Sequence, residues 1–153
     1  MSDIALKLIN NCFDIEVDES ISDLTADNGL ETALAISLFT DKRVEDDDLP
    51  QGHKSKRGWW GDMYPVVDQD KIGSRMWTLY PGKTTTETLR RSEDFAKEAT
   101  NWLIEDGIAS AVNVLSEYNT NKHLISNVDV VKPDGITSRY EVLWDEQKIK
   151  RSM

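Results

Sequence analysis

Thr84-Thr85-Thr86-Glu87-Thr88-Leu89-Arg90-Arg91-Ser92-Glu93-Asp94-Phe95-Ala96 opens the stretch from which the fold is read. Thr84-Thr85-Thr86-Glu87 has the spacing of a capping box, in which a hydroxyl and a carboxylate satisfy backbone N–H groups left free at a helix start. Leu89, Ser92, Phe95, Ala96, Ala99, Trp102 and Leu103 then recur on one stripe, and Gly107 can close the helix. Glu87 and Arg91, Arg90 and Asp94, and Glu93 and Lys97 stand at i,i+4 outside that stripe, where opposite charges add modest support. An amphipathic helix is predicted here.

Downstream the apolar period changes to that of strands. Val112, Val114, Ser116 and Tyr118 alternate, Asn119-Thr120-Asn121 turns, and Leu124, Ser126, Val128 and Val130 share a face. Pro133-Asp134-Gly135 turns again before Ile136, Ser138, Tyr140, Val142 and Trp144. This predicts a three-stranded antiparallel meander followed by a polar, basic tail, 146–153, with Lys148, Lys150 and Arg151. Upstream, Asn28 and Glu31 form another capping-box pair. The helix they open is apolar on most faces through Leu30, Leu34, Ile36, Leu38 and Phe39, which predicts a buried position ending near Thr40. Ile4, Leu6 and Leu8, then Phe13, Ile15 and Val17, alternate about Asn10-Asn11, so 3–18 reads as a β-hairpin with one buried face. The fold class is α+β: an N-terminal hairpin, two main helices, a long loop and a C-terminal meander, in one domain spanning 1–153.

The loop, 45–83, carries the least regular signal. Glu45-Asp46-Asp47-Asp48 is acidic, His53-Lys54-Ser55-Lys56-Arg57 is basic, and Arg57-Gly58-Trp59-Trp60-Gly61-Asp62 sets two of five tryptophans side by side between glycines. Structureless loops of this length are uncommon in compact domains, and the Trp, Tyr and Met content argues against disorder, so an ordered, extended excursion is expected. A loop Trp can anchor to the core, stack on a sugar, or face a protein partner. Neighbours in an extended chain point to opposite sides, which suggests one ring inward and one outward, with Arg57 and Asp62 as a polar rim; the expectation adopted is Trp59 inward and Trp60 outward.

A net charge of −10 over 153 residues argues against binding nucleic-acid phosphate or an anionic membrane. The acid excess suits either a self-repelling surface or a basic protein partner. Cys12 is the single cysteine, placed at the hairpin turn, so no intramolecular disulfide or multi-Cys zinc site forms. No N-terminal apolar run and no spanning stretch are visible, which points to synthesis in a reducing cytoplasm. The glycines form no phosphate loop, His53 and His123 lack ligand spacing, and the acidic run lacks the glycine and final glutamate of a calcium loop. No cofactor or metal is expected. A glycosidase carboxylate pair, with Asp62 as one member, is not removed by counting; caps, turns and i,i+4 pairs account for most of the acids.

Asp27-Asn28-Gly29-Leu30-Glu31-Thr32-Ala33, Ile36-Ser37-Leu38-Phe39-Thr40-Asp41-Lys42-Arg43 and Leu49-Pro50 occur in that order, ahead of the Trp block. Gly73-Ser74-Arg75-Met76-Trp77, Thr86-Glu87-Thr88 and Trp102-Leu103-Ile104-Glu105-Asp106-Gly107 follow it. Together these resemble the Mu-type phage tail proteins of the contractile-tail baseplate over nearly the whole chain. The resemblance implies a non-enzymatic wedge subunit, distantly similar to the T-even wedge protein that primes the tail sheath. It implies contacts with other wedge proteins and the sheath, several copies per tail through heterologous contacts, and a place in the virion. Arg57, Trp59, Trp60, Asp62 and Arg75 are the candidate contact residues. In the wider group a Glu-Pro-Arg motif follows the second helix; here that place reads Glu105-Asp106-Gly107, so the contact made through that arginine does not carry over. The competing reading is a tail-associated peptidoglycan glycosidase.

Overall fold

The computed structural model describes residues 3–4, 6–9, 12–15, 17–18, 23–24, 26–27, 30–64, 71–80 and 84–152. Short strands come first: β1 (Asp3–Ile4), β2 (Leu6–Ile9), β3 (Cys12–Ile15), β4 (Val17–Asp18), β5 (Asp23–Leu24) and β6 (Ala26–Asp27). β2 and β3 form the expected hairpin about residues 10–11, pairing Leu6 with Ile15 and Ile9 with Cys12. The hairpin is shorter than predicted. Val17–Asp18 pairs forward with Asp23–Leu24, and Asp3–Ile4 pairs with Ala26–Asp27 instead. Nor is its face fully buried, since Ile4 and Ile15 are both exposed.

Helix α1 (Leu30–Phe39) buries Leu34, Ala35 and Leu38 together with Thr32 and Ser37. Its expected cap at Asn28 lies outside the described residues. The buried hydroxyls are both used: Thr32 Oγ1 accepts from the Leu6 amide at 3.2 Å, and Ser37 Oγ donates to the Ala33 carbonyl at 2.8 Å. Helix α2 (Thr86–Thr100) starts one residue later than the Thr84–Glu87 spacing predicts. Thr85 is the N-cap, its hydroxyl accepting from the Thr88 amide at 3.2 Å. The chain stays helical at Asn101 and continues as α3 (Trp102–Glu105), and Gly107, at a positive φ of 69°, follows its end. The stripe lands as predicted, with Ser92, Phe95, Ala96, Ala99 and Leu103 buried. Glu93 turns to the sheet rather than to Lys97, accepting from the Ser116 amide at 2.9 Å.

The C-terminal sheet has four antiparallel strands in the order β10-β9-β8-β7: β7 (Ala111–Tyr118), β8 (Leu124–Val131), β9 (Thr137–Leu143) and β10 (Lys148–Ser152). The inner face is the predicted alternation: Val114, Ser116, Ser126, Val128, Val130, Ser138, Tyr140, Val142 and Trp144 are buried. Ile136 is the exception, standing exposed in the turn before β9. The segment expected as a tail is a strand: Lys148–Ser152 pairs residue by residue with Leu143–Arg139, setting Ile149 opposite Val142 and against the core. A run such as Lys148-Ile149-Lys150-Arg151 offers one apolar side chain, too little for periodicity to register. Strand β9 supplies the template that the local sequence lacks.

α1, α2 and α3 contribute to one core over this inner face; α2 packs on β7 and α1 reaches β10. Phe39 meets Trp144 edge-on, with centroids 5.7 Å apart. A polar chain crosses the core. Trp144 Nε1 donates to Ser126 Oγ at 2.8 Å, and the Ser116 and Ser126 hydroxyls lie 2.7 Å apart. On the outer face Arg139 forks onto Asp129, directly opposite it, at 2.6 and 2.8 Å.

Candidate functional site

The long loop has a closed base. Ser74 N donates to the Thr40 carbonyl at 2.8 Å and Lys42 N to the Ser74 carbonyl at 3.0 Å, a parallel bridge that joins the end of α1 to residue 74. The core anchor of this region is Trp77. It is 2% exposed, and its indole N–H donates to the Lys42 carbonyl at 2.9 Å. The run Met76-Trp77, within a short 3-10 helix (Arg75–Thr78), therefore fills the role that a Trp in the Arg57–Asp62 block was expected to share.

Two of the predicted contact residues are committed inside the chain. Arg75 donates from Nε and Nη2 to Glu98 Oε2 at 3.0 and 2.6 Å, and from Nη1 to Asp48 Oδ2 at 3.0 Å. Its guanidinium also lies 4.4 Å from the centre of the Phe95 ring. Lys42 adds a bond to Glu98 at 2.8 Å. Burial pushes the Glu98 carboxyl up, but the hydrogen bonds from Lys42 and Arg75 outweigh it and leave the group below the ordinary glutamate value. Arg57 pairs with Asp41 at 2.8 Å and sits 4.7 Å from the centre of the Trp77 ring. The two arginines thus clamp the loop, one to the end of α1 and one to the face of α2. A guanidinium suits this work because its planar fork bonds carboxylates while its face stacks on rings.

The Trp pair opens the preceding short 3-10 helix (Trp60–Met63), with Trp59 as its N-cap. Trp59 and Trp60 have centroids 5.4 Å apart at 47°, and their exposures are 44% and 72%. Neither ring enters the core. Met63 and Tyr64 are also exposed, so four large side chains crown one turn. Single exposed apolar residues are ordinary; a cluster of this kind marks a contact surface. The glycines have distinct reasons. Gly58 adopts φ 106°, and a Cβ there would come 2.7 Å from the Arg43 Cβ; at Gly61 a Cβ would collide with the Trp59 ring.

Trp59 helps line an open groove of about 790 Å³, together with the apolar Ala33, Ile36, Ala99 and Trp102 and the carboxylates of Asp62, Glu105 and Asp106. Asp62 accepts from the Ile72 amide through Oδ1 at 3.2 Å. Its Oδ2 is shut off from water with no donor. An unsatisfied buried acceptor costs about 1–3 kcal/mol, more if charged, which native folds rarely tolerate without a reason. Among the described residues no group of three or more His, Cys, Asp and Glu is placed to hold a metal ion, and no helix is long and apolar enough to cross a membrane. The sequence points to Trp59, Trp60 and Asp62 here but not to Met63, Tyr64 or Trp102. The Met63-Tyr64 pair directly after Asp62 was the available signal; Trp102 gave none, because its spacing puts it on the core stripe.

The family model for phage protein GP46 matches residues 30–137, from the first residue of α1 to the first of β9. The chain belongs to this family. The matched span holds both main helices, the clamped loop and the Trp turn. The chain is 41% identical over 143 residues to the baseplate protein gp46 of Escherichia phage Mu, covering 92% of this chain and 94% of that one. It is 37% identical over 139 residues to the Mu-like prophage FluMu protein gp46 of Haemophilus influenzae, covering 91% and 93%.

Proposed function

We propose that this GP46 chain is a structural, non-enzymatic subunit of a contractile phage-tail baseplate, a single wedge-like domain over 1–153 that joins neighbouring wedge proteins and helps connect the baseplate to the sheath. The observation that carries the reading is the exposed turn of Trp59, Trp60, Met63 and Tyr64 on a loop locked by Arg57 and Arg75, in a chain related to a phage Mu baseplate protein. A rigid aromatic turn meets a neighbour without first losing conformational freedom. Trp60, the more exposed of the two rings, is the anchor, with Asp62 on the rim. Arg57 and Arg75 serve the interface by holding this turn in place. The free edge of β10, with Lys148, Lys150 and Arg151, suits addition of an acidic strand from the sheath; Glu93 already occupies one amide of the opposite edge strand, β7. Several copies assemble around the tail through heterologous contacts. The protein is made in the host cytoplasm and ends in the virion.

Trp60→Ala tests this. Removing an exposed ring changes stability by no more than about 0.5 kcal/mol, while incorporation into purified tails falls sharply. Incorporation at the wild-type level, or absence of the wild-type chain from purified tails, defeats the proposal. Peptidoglycan hydrolysis by the purified chain, abolished by an Asp or Glu substitution, would establish the glycosidase instead.

A further inference from the structure

The groove beside the Trp turn has a composition of its own. Its rim and walls carry the carboxylates of Asp62, Glu98, Glu105 and Asp106 against the ammonium groups of Lys42 and Lys71, an excess of two negative charges (four minus two). Lys42 is spent on Glu98, which Arg75 also holds, so among the described lining residues Lys71 alone stands against the three carboxylates of Asp62, Glu105 and Asp106. Among the described residues Glu105 takes a hydrogen bond only from the neutral Asn101 amide. Two indoles contribute to the lining: Trp59 from the loop and Trp102 from α3, the latter fixed by its N–H bond to Ser37 Oγ at 3.0 Å. Asp62 Oδ2 lacks a donor.

Apolar side chains, two indoles and an excess of carboxylates together match one side chain best. We infer that the groove receives an arginine on a segment of a neighbouring baseplate protein, an occupant that rests on the baseplate reading above. A guanidinium stacks on indole, is less strongly hydrated than an ammonium, and carries donors enough to reach a carboxylate while its plane stays on a ring. A volume of about 790 Å³ admits the arginine with a flanking apolar residue on each side. Asp62 Oδ2 is closed to solvent, so the guanidinium reaches it by displacing part of the groove wall, and binding is coupled to a small movement of the Trp59 side. The groove contact shares Trp59 and Asp62 with that turn but not Trp60, which is absent from the groove lining and 72% exposed.

The full-length chain, labelled at its indole nitrogens, is titrated with acetyl-Leu-Arg-Leu-amide and with the citrulline analogue, which keeps the shape of arginine and lacks its charge. The arginine peptide shifts the Trp59 and Trp102 indole signals, assigned by single Trp→Phe variants, and the citrulline peptide binds at least tenfold more weakly. Asp62→Asn weakens arginine binding tenfold or more with the other indole signals unmoved; should Asp62→Asn misfold, Glu105→Gln with Asp106→Asn gives the second reading, a loss of at least threefold. Shifts confined to other tryptophans, no shift at all, equal binding of the citrulline peptide, or undiminished binding by both variants overturns the inference. Failure here with Trp60→Ala still excluded from tails removes only the groove. Arginine binding by a chain absent from tails removes the baseplate reading.

Discussion

Replacing Arg75 separates an outward contact from an inward clamp. The guanidinium makes three hydrogen bonds to Glu98 and Asp48 and stacks on Phe95. Its side chain is 30% exposed and those of its acceptors are 36% and 41%, so solvent screens the pairs. Each partly exposed ion pair then contributes about 0.2–1 kcal/mol, and the stack about 0.5–2 kcal/mol. Arg75→Ala should cost about 2 kcal/mol, with roughly 1 and 4 as bounds. Arg75→Lys keeps one charge contact but loses the fork and the stack, so it should cost about half as much. Urea denaturation followed by Trp fluorescence reads this as a shifted midpoint at constant slope, equivalent to roughly 4–8 °C in Tm for Arg75→Ala. Incorporation into tails should fall in proportion to lost stability. An Arg75→Ala chain as stable as wild type yet absent from tails would refute the clamp and restore the arginine as a partner contact.

Other outcomes follow from the same geometry. Ser126→Ala leaves the buried Trp144 indole N–H without its acceptor and breaks the link to Ser116, so it should cost about 2–4 kcal/mol; Ser116→Ala leaves that bond intact and should cost clearly less in the same denaturation series. Gly73 adopts φ 103° with a would-be Cβ 2.5 Å from the Thr40 carbonyl oxygen, so Gly73→Ala should open the parallel bridge at a cost of about 2–4 kcal/mol; exchange protection of the Lys42 and Ser74 amides should drop first. The folded-state lowering of Glu98 means its stabilisation is present above the unfolded glutamate value and is lost as pH falls through the lower folded value. Glu98→Gln should therefore flatten the acid limb of the stability curve, measured by Tm against pH; an unchanged acid limb would contradict the pairing.

Much of the architecture was legible in the residues because burial on one face writes a period into the chain. The Leu89–Leu103 stripe and the alternations Val114–Ser116, Ser126–Val130 and Ser138–Trp144 each report one buried side, and the structure buries those residues apart from Leu89 and Trp102, which are half-buried. The Trp block pointed to an outward Trp60, but Trp59, expected inward, is exposed as well. Several features had no local signature. β10 forms because β9 offers a free edge; Trp77, not Trp59, anchors the loop because the Thr40–Ser74 bridge delivers it to Lys42; Arg75 turns inward because Glu98, 23 positions away, is its acceptor. The groove is likewise assembled from α1, the loop and α3. Sequence by itself determined which faces are apolar, since that depends on each residue and its near neighbours. Tertiary structure alone decided which charged and aromatic groups meet, because hydrogen bonds, ring stacking and edge pairing act between atoms brought together from far along the chain.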